Sequence, residues 1–207
     1  LFRSIKVLND YGYENAEDYL PVYKKINDAL WKEYEQGIIK RPEVLNTRFS
    51  KMMKEFGKDI SGEEWEARYR SYLNEGAQMI EDAEEICQWL RSRYRLFIVS
   101  NGVAQTQKKR LRASGLDRYF EQVFVSEEAG AQKPSKEFFS YVEDHISGFD
   151  KQRALIVGDS YSSDILGGQQ YGIDTCWFIR GDIKAQEAEK KSTYRISGLK
   201  QLKDILD

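Results

Sequence analysis

The sequence has few of the residues that build disulfide frameworks, zinc-thiolate sites or membrane spans. Its 207 residues include two cysteines, three prolines and one histidine, so neither a disulfide-rich scaffold nor a Cys/His zinc site is expected. No apolar stretch approaches the length that crosses a bilayer. Cys87 and Cys176 lie far apart among apolar neighbours, which favours two buried free thiols over a disulfide and predicts a cytoplasmic location.

The net charge of the chain is also small. The 32 basic and 34 acidic residues leave a formal charge of −2, which gives no electrostatic reason to expect a nucleic-acid polymer as partner. The sequence contains no CxxC, HExxH or P-loop pattern, so zinc chemistry and Walker-type nucleotide chemistry are not expected. The single histidine, His145, lies late in a predicted helix. Because no serine or cysteine nucleophile occupies a strand-elbow motif, a catalytic role for this histidine is not expected. The oligomeric state leaves no signature in the sequence.

The first 79 residues have the periodicity of helices and contain no convincing strand. Apolar and aromatic residues recur at helical spacing over residues 15–36, and again after Arg41 and Pro42. Ser61 and Glu64 have the spacing of a capping box, which predicts the start of another helix. The pattern predicts a helical domain over residues 1–79, and we expect its aromatic residues to pack in the core.

From residue 80 onward, short apolar runs alternate with helical stretches. Strands are predicted at 96–99, 123–125, 154–157 and 175–179, and helices at 80–93, 103–114, 135–146, 162–171 and the end of the chain. This alternation predicts an α/β domain over residues 80–207, with an open, mostly parallel sheet in three layers.

Three polar clusters follow the predicted strands, at or soon after their ends. They are Ser100-Asn101-Gly102, Gln132-Lys133-Pro134 and Gly158-Asp159-Ser160, with Asp164 five residues after Asp159. Ligands of parallel sheets bind at the carboxyl ends of the strands, so these groups are expected in one crevice. A hydroxyl, an amide, a lysine and two carboxylates suit a phosphate held with a divalent cation.

Structural roles for the same residues remain open. Ser100-Asn101-Gly102 could equally be a strand-to-helix turn with a helix cap, and Asp159 or Ser160 could cap the helix that follows. Asp164 lies near the first turn of that helix, where a negative charge is favoured in any case.

In chain order, FIVSNG (97–102), QKPSKEFF (132–139) and GDSYSSD (158–164) resemble motifs II, III and IV of the haloacid dehalogenase-like (HAD) hydrolase superfamily. The helical half is similar to the cap that some members insert between motifs I and II. The stretch RLFIVSNGVAQTQKKRLRASGLDRYF (95–120) closely resembles a bacterial subgroup of pyrimidine 5′-nucleotidases. The resemblance implies a Rossmann-type core and a Mg²⁺-dependent phosphomonoesterase. Such an enzyme acts on a small phosphorylated metabolite through an aspartyl-phosphate.

The resemblance also implies roles for individual residues. It assigns phosphate binding to Ser100, Asn101, Gly102 and Lys133, and the support of Mg²⁺ to Asp159 and Asp164. Ser100, Lys133 and Asp159 would be the catalytic residues, because they contact the phosphoryl group or its cation. Arg48, in the cap, is a candidate substrate contact.

One motif is missing. Motif I, a strand that ends in D-x-D-x-T and carries the aspartate nucleophile, should precede the cap, but the sequence contains no D-x-D. In the family that strand is central, and its loss would orphan buried polar groups at about 1–3 kcal/mol each. We therefore expect that the sequence begins after this motif and that the nucleophile is not in the chain.

Three alternatives remain. A 2-haloacid dehalogenase would share the fold but needs no metal, and its motif IV usually lacks the aspartate found here at Asp159. A receiver domain combines similar groups, but its acidic pair comes first and its lysine last. A non-catalytic relative that binds phosphorylated ligands would explain the missing nucleophile, although it would have no need of Lys133, Asp159 and Asp164 together.

Overall fold

The helical periodicity of the amino-terminal part corresponds to four helices. The structure, a computed structural model, describes residues 2–75, 79–179 and 189–207. It divides into two units, Leu1–Ala77 and Gln78–Asp207. The first unit contains α1 (Phe2–Asp10), α2 (Ala16–Glu35), α3 (Arg41–Glu55) and α4 (Gly62–Glu75).

The aromatic residues of the first unit form its core, as the helical spacing predicts. Phe49 and Trp65 are 0% and 3% exposed, and the ring of Tyr11 stacks on Trp65 with the centroids 4.5 Å apart. The start of α4 follows from the predicted cap, because the hydroxyl of Ser61 accepts a hydrogen bond from the backbone N–H of Glu64 at 3.2 Å.

The second unit alternates helices and strands. Its helices are α5 (Ala83–Arg91), α6 (Ala104–Ser114), α7 (Ser126–Ala129), α8 (Lys136–Asp144), α9 (Leu166–Tyr171) and α10 (Leu202–Leu206). Its strands are β1 (Phe97–Ser100), β2 (Gln122–Val125), β3 (Leu155–Gly158), β4 (Asp174–Phe178) and β5 (Tyr194–Ile196). A π-helical turn, Tyr161–Ile165, precedes α9.

All strand pairings among the described residues are parallel. β1 pairs with β2, with Ser100 opposite Val125. β3, β4 and β5 form a second sheet in that order, in which Gly158 lies opposite Trp177. The parallel α/β class is therefore confirmed. Among these residues β1 and β3 each have one strand partner, so the five strands form two sheets of two and three strands.

Helices cover both faces of the strands and give three layers. Phe124 of β2 and Ile156 of β3 pack with Phe138 and Phe139 of α8. Ile156 lies opposite Thr175 of β4. Because side chains alternate along a strand, Cys176 and Phe178 of β4 point to the opposite face. There they pack with Ile86 of α5 and Leu202 of α10.

Both cysteines are free. Cys176 is fully buried, whereas Cys87 is only half-buried, so the expectation of two buried thiols is wrong for Cys87, because α5 turns that side chain partly toward solvent. No helix within residues 2–75, 79–179 or 189–207 is long and apolar enough to cross a membrane.

Candidate active site

β1 ends at Ser100 in a tight turn that leads to α6. The Ser100 hydroxyl accepts a hydrogen bond from the backbone N–H of Gly102 at 3.0 Å. A Cβ at Gly102 would lie 2.4 Å from Nε2 of Gln107. The side chain of Gln107 therefore packs against the turn in the space that a larger residue at position 102 would occupy. The first N–H of α6, at Ala104, donates to the carboxylate of Glu127 at 3.2 Å. A carboxylate is the kind of group that the start of a helix favours.

Asn101 joins the first polar cluster to the second. Its Nδ2 donates to the carbonyl of Lys133 at 2.9 Å, and its Oδ1 accepts from the backbone N–H of Lys133, also at 2.9 Å. Both ends of the amide are therefore engaged by one backbone position, at the cis peptide between Lys133 and Pro134. The contact of this carboxamide with a phosphoryl group stays a prediction. In the structure this carboxamide binds the backbone of Lys133.

Lys133 is buried with its charge compensated. The residue is 6% exposed, and its Nζ donates to the carbonyl of Val99 at 3.0 Å and to Oδ1 of Asp164 at 2.5 Å. A buried ammonium is tolerated only when it is paired and hydrogen-bonded. The pair connects the second cluster to the third, and the Val99 contact connects it to the end of β1.

Asp164 lies against the end of β3 because residue 158 is a glycine. A Cβ at Gly158 would be 2.2 Å from Oδ2 and 2.3 Å from Cγ of Asp164, distances that no real side chain adopts. Asp164 is 6% exposed. Oδ2 of its carboxylate accepts a hydrogen bond from the backbone N–H of Ser160 at 3.1 Å. The glycine before Asp159 thus makes room for the carboxylate that pairs with Lys133.

Ser160, and not Asp159, caps the turn that follows β3. The Ser160 hydroxyl accepts from the backbone N–H of Ser163 at 3.2 Å. Asp159 is exposed, and its backbone carbonyl accepts from Nε1 of Trp177 at 3.1 Å. The capping role is therefore filled by its neighbour, and the Asp159 carboxylate is accessible to a ligand.

The two glycines of α9 bring this helix close to the second cluster. A Cβ at Gly167 would lie 2.8 Å from the ring of Phe139 and 3.0 Å from Cα of Pro134. A Cβ at Gly168 would lie 2.6 Å from Cγ2 of Ile156. The close packing fixes the backbone next to Lys133 against the helix that follows Asp164.

The structure joins Asn101, Lys133 and Asp164 by direct contacts, and it places Ser100 and Asp159 beside members of this set. No group of three or more His, Cys, Asp or Glu side chains in the described parts of the chain could hold a metal ion. Two carboxylates still fit Mg²⁺, which is commonly bound by one or two protein carboxylates together with waters and substrate phosphate.

Arg48 lies in the first unit and is 5% exposed. Its Nε and Nη2 donate to Oε2 of Glu66 at 3.0 and 2.6 Å, and its Nη1 donates to Oδ1 of Asn27 at 3.2 Å. Burial opposes its charge, but Tyr23 and Glu66 outweigh that effect and raise the pKa of the guanidinium. Its predicted contact with substrate stays a prediction.

Sequence reasoning missed several parts of this arrangement. The carbonyl of Val99 belongs to an apolar run, so nothing marked it as an acceptor for Lys133. The packing of Asp164 on Gly158 could have been suspected from the sequence, because a glycine between the strand and Asp159 can mark a place where other atoms approach the backbone closely.

Comparisons with known proteins identify the family and the fold. Residues 17–178 match the model of the family described as haloacid dehalogenase-like hydrolase. The Bacillus subtilis protein YfnB, described as a HAD-hydrolase, is 44% identical over 97% of this chain and 85% of its own. Its magnesium-bound crystal structure superposes with a TM-score of 0.89, at 42% identity over 97% of this chain and 87% of that chain.

Two further relatives are named pyrimidine 5′-nucleotidases. PynA of Streptococcus pneumoniae is 36% identical over 98% of this chain and 85% of its own length. YjjG of Escherichia coli is 31% identical over 92% of this chain and 83% of its own. The match to the family model and the extent of these similarities show that the chain belongs to the haloacid dehalogenase-like hydrolase family.

Proposed function

We propose that the protein is a Mg²⁺-dependent phosphomonoesterase that acts on 5′-nucleotides in the cytoplasm. The observation that carries this proposal is the buried Lys133–Asp164 pair at the carboxyl ends of β1 and β3, tied to the Ser100 turn by Asn101. Two relatives that align with nearly the whole chain are named pyrimidine 5′-nucleotidases, which supports a nucleotide as the substrate.

Phosphoryl transfer requires mainly positioning and charge stabilisation. In the proposed reaction, the Lys133 ammonium lies against the transferring group and neutralises its negative charge. The Ser100 oxygen keeps the hydrogen bond that it accepts from the N–H of Gly102, and its O–H donates to a phosphoryl oxygen. Asn101 holds the backbone of Lys133 at a fixed position, and Asp164 fixes the ammonium from the other side.

Mg²⁺ would be held by the exposed carboxylate of Asp159, with Asp164 supporting its water shell, and it would neutralise charge on the phosphoryl oxygens. Asp164 accepts hydrogen bonds from Lys133 and Ser160 through separate oxygens, which gives its carboxylate a defined orientation. The division of roles is physically reasonable because the accessible carboxylate takes the cation and the buried one holds the lysine.

The aspartate nucleophile is proposed to lie outside residues 1–207, on a strand between β1 and β3. β1 and β3 belong to separate sheets among the described residues, although both pack on one cluster of apolar side chains that contains Val99 and Ile156. A parallel strand between them, ending in D-x-D, would join the two sheets and bring an aspartate to the level of Lys133. Recovering the upstream coding sequence tests this directly.

The experiment that tests the proposed function measures phosphate release from uridine and thymidine monophosphates by the full-length protein, with and without Mg²⁺. We expect metal-dependent release by the natural protein and none by Asp159→Asn, with unchanged circular dichroism. Asp117→Asn, the same change at another exposed aspartate of the second unit, is the matched control and should retain activity. Robust activity without Mg²⁺, or in Asp159→Asn, would contradict the proposal.

A further inference from the structure

A polar cavity of about 320 Å³ lies wholly within the first unit, between α2, α3 and α4. Five of its lining residues come from α2, and Arg48 of α3 and Tyr69 of α4 complete it. This volume is at the lower end of the range of small-molecule sites. The cavity is partly open to solvent, and its volume can accommodate one small ring system.

The cavity wall on α2 has the regular spacing of one helix face. Tyr23, Asn27 and Trp31 are four residues apart in sequence, so their side chains lie in a row. Tyr23 is 5% exposed and belongs to the core, whereas Asn27 and Trp31 are half-buried. The row thus changes from a core residue to a half-buried amide and a half-buried aromatic ring.

Arg48 fixes the orientation of the amide in this wall. A guanidinium has only donors, so the group of Asn27 that meets Nη1 of Arg48, at 3.2 Å, must be the oxygen. Nδ2 of Asn27 therefore points the other way, toward Oδ1 of Asp28 at 3.3 Å. Arg48 itself is held by Glu66 and lies 4.5 Å from the ring centroid of Tyr69. The polar groups of the cavity are consequently preorganised.

The charges of the cavity balance. Arg48 is paired with Glu66, which is 2% exposed, and the exposed side chains at the rim, Lys24 and Asp28, have opposite signs. A phosphate or a metal cation would find no net opposite charge here. A neutral ligand with both donors and acceptors could use the second N–H and the second lone pair of the Asn27 amide, and a flat one could stack on the ring of Trp31.

We propose that this cavity binds a neutral nucleobase, with the ring face on Trp31 and the polar ring edge at Asn27. The choice of a nucleobase among planar polar rings rests on the proposed nucleotidase function. Stacking on an aromatic side chain and a hydrogen-bonded edge are how proteins hold unpaired bases, and loss of the aromatic ring weakens such binding by roughly tenfold or more. In this arrangement Arg48 is a positioning residue for Asn27.

The test is the binding of uridine, which carries the base but no phosphate, to the full-length protein. Saturation-transfer NMR reports contact with the H5 and H6 protons of the base, and a titration gives the dissociation constant. We expect transfer to the base protons and none to free ribose. Trp31→Ala and Asn27→Ala should each raise the dissociation constant about tenfold. Lys25→Ala, an exposed change on α2 outside the cavity, should leave it unchanged.

Three results would overturn the assignment. The first is an absence of saturation transfer to uridine. The second is an affinity for uridine in the Trp31 and Asn27 variants that equals that of the natural protein, with their helical circular dichroism intact. The third is a loss of affinity in Lys25→Ala as large as in those two variants. A milder pair, Trp31→Leu and Asn27→Ser, decides the question if an alanine variant fails to fold. Failure of the proposed function is distinguishable, because uridine would then bind through Trp31 and Asn27 while no phosphate is released from uridine monophosphate.

Discussion

Replacing Gly158 with alanine should disturb the Lys133–Asp164 pair although neither partner is changed. The new Cβ would lie 2.2, 2.3 and 2.5 Å from Oδ2, Cγ and Cβ of Asp164. The side chain would have to move by about 1 Å to restore van der Waals separation. Since one carboxylate oxygen is bound by Lys133 and the other by the N–H of Ser160, such a movement lengthens at least one of these hydrogen bonds.

The magnitude follows from two contributions. Inserting a methyl group into a packed site costs about 1–3 kcal/mol, and weakening one buried hydrogen bond costs about 0.5–1.5 kcal/mol. The free energy of unfolding should therefore fall by about 2–4 kcal/mol. For a chain of this size that corresponds to a decrease in melting temperature of roughly 5–15 °C. Activity should fall as well, because the ammonium of Lys133 loses its fixed partner.

Gly198→Ala is the matched control. No atom lies within 4 Å of a Cβ built at Gly198, and its φ of −136° is ordinary extended backbone. The control should change stability by less than about 0.5 kcal/mol. Urea unfolding combined with amide hydrogen exchange of β3 and β4 measures both variants in the second unit. If Gly158→Ala were as stable and as active as Gly198→Ala, the packing of Asp164 described above would be refuted.

The remaining predictions concern three other residues. Asn101→Ala should lower the free energy of unfolding by about 1–3 kcal/mol, because it removes two hydrogen bonds to the backbone of Lys133. It should also reduce kcat more than it raises KM, and normal kinetics would contradict a positioning role. Arg48→Met should lower the free energy of thermal unfolding by somewhat less than the about 3–5 kcal/mol of a fully unpaired buried charge, since Glu66 loses its buried partner but keeps the partly exposed Arg70 at 3.2 Å, and a second change, Glu66→Leu, should recover most of that loss. Burial raises the pKa of the Cys176 thiol to about 11, so iodoacetamide at pH 8 should label it only after unfolding, as mass spectrometry can show.

The sequence predicts those parts of the fold that local patterns encode. β1, β3 and β4 coincide with apolar runs, and α3 begins at the expected Arg41. β5 was not predicted, because its three residues, Tyr194–Ile196, include an exposed tyrosine and arginine and form no apolar run. Its identity as a strand depends on pairing with β4, which is a tertiary contact. α1 was also not predicted, because its nine residues, Phe2–Asp10, offer fewer turns of apolar periodicity than the helices that follow.

The residues of the candidate site could be named from the sequence, but their mutual contacts could not. Asn101 was assigned to a phosphoryl group because an amide after a strand is a suitable donor. Its actual partner in the structure is the backbone of a residue 32 positions later, and no local periodicity encodes such a distance. The capping of the turn by Ser160 was one of two options at that position, and only the geometry distinguishes them.

The contacts of Lys133 explain why three separate segments are needed to build one charge site. An ammonium has three N–H donors, and among the described residues Nζ uses two of them, for the carbonyl of Val99 and for Asp164. The first acceptor lies in β1 and the second follows β3, so the position of Nζ is set by two strands that belong to different sheets. Asn101, two residues after Val99 in the same segment, fixes the backbone of Lys133, which belongs to the third segment. An oxygen that approaches the remaining donor would meet a charge whose position requires no rearrangement, which is the condition under which electrostatic stabilisation of a transferring phosphoryl group is most effective.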